Sequence, residues 1–241
     1  MPQSDAIWSD KDYVEKLRSK FIVFDGPDGS GKSTQRERFG ERLESLGGDV
    51  VHCKDPGGTD FGNMIRSILL DHDLTNMDVR CETFLFMASR AQLVGEKVKP
   101  ALEAGKTVLC DRFISSTCAY QVAAGYDLKR VLELGQYAVE DVWPDLTLIL
   151  DVPIELGFER TGRQPKHAGK NRSRHAGQGM LLDDVQTDAM EARPLDFHRK
   201  VRDTLKSLPE TYPRKVVIVD GSAESDAVHE DVWQAVARAL Q

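Results

Sequence analysis

An octapeptide near the start of the chain has the residue types and the spacing that phosphate binding requires. Residues 26–33 read GPDGSGKS, which fits the pattern G-x-x-x-x-G-K-[ST] of a P-loop. Glycines let backbone N–H groups approach phosphates closely, while Lys32 can bridge the β- and γ-phosphates and the Ser33 hydroxyl can bind Mg²⁺. The residues predicted to bind a nucleoside triphosphate such as ATP are Gly26, Pro27, Asp28, Gly29, Ser30, Gly31, Lys32, Ser33 and Thr34.

A second pair of functional side chains, Asp111 and Arg112, follows an apolar run. Asp111 can hold Mg²⁺ or its waters, and the guanidinium of Arg112 can bind a phosphate group through two parallel hydrogen bonds. An isolated Asp-Arg pair is more often a surface ion pair. Because a P-loop is present, we predict Ser33 and Asp111 as metal ligands and Lys32 and Arg112 as catalytic residues.

The elements that must position these residues are short apolar runs, which alternate with longer helical patterns. This alternation predicts an α/β fold with a five-stranded parallel sheet flanked by helices, the three-layer P-loop NTPase architecture. The predicted strands are Phe21–Asp25, Asp49–Cys53, Thr107–Asp111, Leu146–Asp151 and Lys215–Asp220. Ligands of such sheets bind beyond the carboxyl ends of the strands, so we expect the site at that edge.

Composition limits the other possibilities. The chain of 241 residues carries 32 Lys+Arg against 39 Asp+Glu, a net charge of −7, which disfavours nucleic acid as a partner. It has no run of about 18 apolar residues and no secretory pattern, so we expect a cytoplasmic protein without a membrane partner. The four cysteines lack metal-ligand spacing. We predict an N-terminal extension over residues 1–20 and a single domain over 21–241.

The segment of about residues 160–188 differs from the rest. It combines several glycines with an excess of Arg and Lys and shows almost no apolar periodicity before Met180. Long segments of this kind are functional loops or disordered insertions. The basic excess favours a mobile lid over an anionic substrate, and a solvated insertion without a role stays the alternative.

Several separated motifs together resemble the thymidylate kinase family, in particular its bacterial branch, over about residues 21–240. They are FIVFDGPDGSGKSTQ at 21–35, DPGGT at 55–59, FMASR at 86–90, DRFISSTCAYQ at 111–121 and DAMEARPLDFHRKVR at 188–202. The resemblance implies ATP-dependent phosphorylation of dTMP to dTDP, with Mg²⁺ as cofactor. The implied dTMP-binding residues are Asp28, Asp55, Arg66, Phe86, Arg90, Arg112, Thr117, Tyr120 and Gln121.

The chain departs from the family pattern at a few positions. The family usually has Glu where this chain has Asp25, and often Arg-Glu where it has Lys54-Asp55. In the family the catalytic arginine comes from the P-loop or the lid, and here Gly29 and Ser30 carry no cation. We therefore predict a lid arginine. Arg160 and Arg163 are preferred, and the rivals are Arg172 and Arg174.

Alternatives to dTMP kinase activity remain open. Another deoxynucleoside monophosphate kinase, for dUMP, dGMP or dCMP, would use the same P-loop, and a nucleotide-binding regulator without catalysis is less favoured because Lys32, Ser33, Asp111 and Arg112 are intact. A GTPase switch would need an NKxD-type motif, which the sequence lacks. Family members are typically homodimers, and the segment 131–142 can be either a dimer face or core.

Overall fold

The strands form one parallel sheet in a computed structural model that describes residues 7–70, 77–162 and 193–241. The strand order in the sheet is β2-β3-β1-β4-β5. The strands are β1 (Phe21–Asp25), β2 (Val50–Lys54), β3 (Thr107–Asp111), β4 (Leu146–Asp151) and β5 (Val216–Asp220). Each predicted strand is present within one residue at either end, which confirms the predicted five-stranded α/β fold.

Helices cover both faces of this sheet. They are α1 (Asp10–Lys16), α2 (Lys32–Ser45), α3 (Asp60–Leu70), α4 (Val79–Leu93), α5 (Lys99–Glu103), α6 (Ile114–Ala123), α7 (Leu128–Val139), α8 (Ile154–Arg160), α9 (Leu195–Thr211) and α10 (Ser225–Ala239). A π-helical turn, Val94–Val98, joins α4 to α5. Pro100 lacks the N–H that a regular helix needs there, which accounts for an irregularity just before it.

The core is split by the sheet. All five residues of β1 and of β3 are buried, as expected for parallel strands covered on both faces. One apolar cluster, centred on Phe21, Phe113 and Leu205, packs under α4 to α7 and α9. The other, which includes Phe24, Phe39 and Trp233, packs under α1, α2 and α10. The two clusters hold the carboxyl ends of the central strands rigidly in place.

The position of β1 beside β3 brings the two predicted motifs together. Phe24 of β1 is in register with Asp111 of β3. The P-loop follows β1 and leads into α2, while Arg112 follows β3 and leads into α6. The P-loop and the Asp111-Arg112 pair therefore leave neighbouring strands at the same edge, as the sequence predicted.

The N-terminal helix α1 is attached to the body of the fold. Tyr13 is buried, its ring stacks on Trp233 of α10 at 4.0 Å, and its hydroxyl donates to the Trp233 carbonyl at 2.9 Å. Trp8 and Leu17 are buried beside it. The predicted boundary between residues 1–20 and the domain stays a prediction.

Two further sequence predictions concern a membrane span and the predicted lid. Among the described residues, no helix is long and apolar enough to cross a membrane, and the predicted cytoplasmic location stays a prediction. Most of the predicted lid, about 160–188, lies outside the described residues, as do Arg163, Arg172 and Arg174. Only residues 160–162 of that segment are described.

Candidate active site

The P-loop has a backbone conformation that only glycine permits at one of its central positions. Gly29 has φ +73°, and a Cβ placed there would come within 2.1 Å of the Gly157 carbonyl oxygen in α8. Gly31, with φ +85°, is the N-cap of α2. The loop therefore lies against α8 and turns into a helix N-terminus, a geometry that directs backbone N–H groups toward phosphates.

Lys32 points back into the loop rather than to solvent. Its Nζ lies 3.8 Å from a carboxylate oxygen of Asp28 and 3.5 Å from the Pro27 carbonyl. Burial, assisted by the neighbouring Arg112, lowers the pKa of Lys32 from its usual value, against the opposing effect of Asp28 and Asp111. The ammonium is thus a desolvated cation at the P-loop end of the pocket.

Ser33 and Asp111 supply adjacent oxygen atoms. The Ser33 hydroxyl donates to Oδ2 of Asp111 at 2.5 Å. Burial raises the pKa of Asp111, but Lys32, the Ser33 hydrogen bond and Arg112 outweigh it and hold that pKa below its usual value. A hydroxyl and an ionised carboxylate are the hard ligands that Mg²⁺ prefers. Among the described residues no group of three or more His, Cys, Asp or Glu forms a metal cage.

Arg112 occupies a strained position at the centre of the pocket. Its φ is +67°, in the left-handed region. Nη2 lies 2.6 Å from Oδ1 of Asp28, Nη1 lies 3.0 Å from the Ser116 hydroxyl, and the guanidinium stands 5.2 Å from the centre of the Tyr120 ring. The group is therefore fixed by its surroundings, and 19% of the side chain is exposed toward the pocket.

The far end of the pocket is built around a buried ion pair. Arg90, 1% exposed, contacts Asp55 at 2.5 Å and donates to the Thr117 hydroxyl at 2.9 Å. Gln121 is fully buried beside them. Its amide interacts with the Glu82 carboxylate, but neither the nitrogen nor the oxygen makes a hydrogen bond of normal geometry. An incompletely paired buried amide is costly, so this end of the pocket is suited to a polar planar ligand.

One continuous pocket contains the predicted acceptor residues. It is lined by every residue predicted to bind dTMP: Asp28, Asp55, Arg66, Phe86, Arg90, Arg112, Thr117, Tyr120 and Gln121. Lys32, Ser33 and Asp111 line its other end. The structure thus brings the predicted donor and acceptor residues together, although their individual binding roles stay predictions.

Known proteins resemble the chain over almost its full length. A family model described as thymidylate kinase matches residues 24–232. The chain belongs to the thymidylate kinase family. The thymidylate kinase of Halothermothrix orenii is 38% identical over 222 residues, covering 91% of this chain and 97% of the relative. That of Desulfovibrio desulfuricans is 40% identical over 209 residues, covering 86% and 90%.

A solved structure agrees with the sequence relatives. The thymidylate kinase from Ehrlichia chaffeensis superposes with a TM-score of 0.67 at 28% identity, covering 91% of this chain and 98% of that one. These similarities confirm the predicted family, its fold and its class of phosphotransferase. The bacterial-branch detail of a lid arginine stays a prediction.

Within this thymidylate kinase fold, Arg160 lies away from the acceptor pocket. Its guanidinium donates to the carbonyls of Gly221 at 2.8 Å and Ser222 at 3.1 Å. A Cβ added to Gly221 would lie 3.0 Å from the Ser30 carbonyl oxygen, so the loop that Arg160 binds adjoins the P-loop. The catalytic role of Arg160 stays a prediction. In the structure, its guanidinium donates hydrogen bonds to the backbone of the 221–223 loop.

Some pocket residues were not singled out from the sequence. Lys54, Pro56, Leu70 and Ser116 also line the pocket. Ser116 lies four residues after Arg112 and four before Tyr120, so the helical spacing of α6 was a usable signal for it. Lys54 was noted only as a departure from the family pattern, and Leu70 carries no comparable signal, because its position depends on how α3 packs.

Proposed function

We propose that this chain transfers the γ-phosphoryl group of ATP to dTMP, giving dTDP and ADP. The observation that carries the proposal is the single pocket in which the P-loop end, with Lys32, and the acceptor end, with Arg112, come from adjacent strands β1 and β3. Membership of the thymidylate kinase family supports the choice of acceptor.

On the donor side, the backbone of residues 26–34 holds the phosphates of ATP and Lys32 contacts the β- and γ-phosphates. Ser33 and Asp111 would hold Mg²⁺. The ion, when bound, neutralises charge on the phosphate oxygens. The hydrogen bond between the Ser33 hydroxyl and Asp111 supports this assignment, because it brings the two oxygen ligands within reach of one ion.

On the acceptor side, Arg112 holds the dTMP phosphate as a bidentate fork. Arg66 joins it from α3, where its Nη1 donates to the Pro56 carbonyl at 2.9 Å. Asp28, which lies between Lys32 and Arg112, is placed to meet the sugar hydroxyl. The Tyr120 ring closes the same side and disfavours a 2′-hydroxyl by its bulk.

At the base end, Phe86 supplies an aromatic face for stacking. Arg90, Thr117 and Gln121 supply polar atoms for the edge of the thymine ring. The amide of Gln121, which makes no hydrogen bond of normal geometry within the described residues, can accept from the ring N3–H and donate to a ring carbonyl. A thymine or uracil base would complete the hydrogen bonding of this amide.

The reaction itself needs alignment more than proton transfer. An oxygen of the dTMP phosphate attacks the γ-phosphorus, the bond to the β,γ-bridging oxygen breaks, and ADP leaves with that electron pair. The acceptor phosphate is already a nucleophile, so no general base is required. Lys32 and Arg112 stabilise charge on opposite sides of the transferring group. The further cation predicted at Arg163 lies outside the described residues.

We also propose that the protein is a homodimer. Large apolar side chains are exposed on neighbouring helices: Phe61 (55%) and Met64 (66%) on α3, Phe84 (53%) on α4 and Tyr137 (85%) on α7. Exposed apolar groups on one side of a fold are typical of an interface. Sedimentation velocity checks this: a wild-type dimer that becomes monomeric in Met64→Asp supports the proposal, and a monomeric wild type contradicts it.

An ADP-release assay coupled to NADH oxidation tests the proposed reaction. With ATP and Mg²⁺, we expect turnover with dTMP that exceeds turnover with dUMP, dGMP or dCMP at equal concentration. Preference for a purine nucleotide would contradict the assignment of Phe86, Arg90 and Gln121. Absence of acceptor-dependent ADP release would favour the alternative of a nucleotide-binding regulator.

A further inference from the structure

A fully buried carboxylate lies between the two halves of the active site and has no role in the assignments above. Asp25, the last residue of β1, is 0% exposed. Its Oδ1 accepts from the Gly26 N–H at 2.8 Å and from the Ser116 hydroxyl at 2.7 Å. Its Oδ2 accepts from the Ser115 hydroxyl at 2.6 Å. A buried anion is tolerated only when it is paired and hydrogen-bonded in this way.

The partners of Asp25 belong to different parts of the site. Gly26 is the first residue of the P-loop, which serves the donor. Ser115 and Ser116 lie in the first turn of α6, the helix that carries acceptor-pocket residues. The carboxylate oxygens of Asp25 therefore accept hydrogen bonds from both the donor loop and the acceptor helix.

Asp25 also faces the acceptor arginine. Nη1 of Arg112 lies 3.4 Å from Oδ1 of Asp25, 3.4 Å from the Gly26 carbonyl and 3.0 Å from the Ser116 hydroxyl. The left-handed backbone of Arg112, at φ +67°, is a conformation that persists only where the surroundings impose it. The Asp25 network supplies part of that constraint, because Asp25 accepts hydrogen bonds from Gly26 and Ser116, two of the residues that contact the guanidinium.

We propose that Asp25 is a positioning residue for phosphoryl transfer: by holding Gly26, Ser116 and the Arg112 guanidinium together, it sets the distance between the P-loop and the acceptor phosphate. In-line transfer is sensitive to such spacing, since a displacement of about 1 Å costs about 10²-fold in rate. The inference rests on the proposed function, because it takes Arg112 as the group that binds the acceptor phosphate.

The Asp25→Asn variant tests the role of the charge. Asparagine keeps an oxygen acceptor for the Gly26 N–H, and a hydroxyl of Ser115 or Ser116 can rotate to accept from its new N–H₂ group. We expect kcat/KM for dTMP to fall by about 10-fold or more, while the Kd of ATP measured without acceptor changes less than about 3-fold. An unchanged kcat/KM, or an equal loss of ATP affinity, would overturn the proposal.

The two serines provide a matched pair that does not depend on how Asp25→Asn folds. Each donates to Asp25, so Ser115→Ala and Ser116→Ala should lower the melting temperature by similar amounts. Ser116 alone also contacts Arg112. We expect Ser116→Ala to lower kcat/KM for dTMP by about 10-fold and Ser115→Ala by less than about 2-fold. Equal kinetic losses in the two variants would mean that the network is only structural.

A double variant separates a direct role of Ser116 from its action through Asp25. Since Ser116 lines the pocket, it could contact dTMP on its own. If it acts through Asp25, Asp25→Asn/Ser116→Ala should be little worse than the more impaired single variant, whereas multiplicative losses would contradict the coupling. Wild-type protein without dTMP-dependent turnover would instead contradict the proposed function, so the two failures are distinguishable.

Discussion

The donor and acceptor halves of the pocket are built in different ways. The donor half is mostly backbone: one contiguous loop, shaped by glycines such as Gly29, with Lys32 as its principal side chain. The acceptor half is made mostly of side chains from α3, α4, α6 and the loops that follow β2 and β3. Buried charge pairs such as Arg90 with Asp55 hold these side chains in place. A backbone cradle can be recognised in a short motif, whereas a side-chain pocket is assembled only by the fold.

This difference in construction also determines how selectively each half can bind a nucleotide. Backbone N–H groups bind phosphates without regard to the rest of the nucleotide, so the donor half gives little selectivity for the acceptor. In the proposed binding mode, Gln121 and Thr117 of the acceptor half meet the edge of the base, where an unmatched polar group is costly. Variants in the two halves should therefore affect different kinetic constants.

The largest expected effect is in the donor half, at Lys32. Lys32→Ala removes the desolvated cation next to the transferring phosphoryl group, and we expect kcat to fall by about 10³-fold while the Kd of dTMP changes little. Steady-state kinetics and calorimetric titration of dTMP check this. Lys106→Ala is the control, because Lys106 pairs with Asp49 near the opposite edge of the sheet and should keep wild-type turnover. A loss of dTMP affinity equal to the loss of kcat would contradict the claim that the two halves act independently.

The next effect is in the acceptor half, at Arg112. Arg112→Lys keeps a positive charge but loses the planar fork that binds phosphate through two hydrogen bonds. We expect kcat/KM for dTMP to fall by about 10²-fold and the Kd of ATP to stay within about 3-fold. Arg80→Lys on α4, where Arg80 pairs with exposed Asp78, is the matched control. Weaker ATP binding in Arg112→Lys would show that the halves are not independent.

The sequence was a good guide where the determinants are local. Residues 26–33 carry all the information for the P-loop, and β1, β3 and β4 lie at their predicted bounds because continuous apolar runs leave little choice of register. The Asp55–Arg90 pair joins residues 35 positions apart, so its formation depends on how β2 and α4 pack. Arg90 was predicted as a base-binding residue, and its pairing with Asp55 was not foreseen.

Asp25 shows a second reason why part of the site could not be predicted from the sequence. From the sequence, Asp25 was only a shorter acid than the family usually has at that position. Its role as the common partner of Gly26, Ser115 and Ser116 appears once β1 pairs with β3 and α6 packs above them. Side-chain convergence of this kind has no signature in spacing along the chain.

A smaller effect on catalysis is expected at Gln121, where a substitution should change acceptor selectivity more than stability. Gln121→Met removes a buried amide that makes no hydrogen bond of normal geometry and interacts with the Glu82 carboxylate, so we expect the melting temperature to change little. The same change removes the contact to the base, and kcat/KM for dTMP should fall by about 10-fold. Because dUMP presents the same N3–H, its loss should match that of dTMP, and the ratio of dTMP to dCMP turnover should decrease. A lower melting temperature would mean that the amide is already satisfied within the protein.

The smallest expected effect lies outside both halves, at α1. Tyr13→Phe removes the hydrogen bond to the Trp233 carbonyl but keeps the ring stacked on Trp233. We expect the free energy of unfolding to fall by about 1 kcal/mol, measured by urea titration, with kcat and both KM values unchanged. Phe39 also packs on Trp233, at 4.8 Å between ring centres, and is fully buried in α2, the helix that extends the P-loop. If Tyr13→Phe raised the KM of ATP, the effect would have passed through this aromatic cluster to the donor loop. The packing of α1 would then contribute to ATP binding in the donor half.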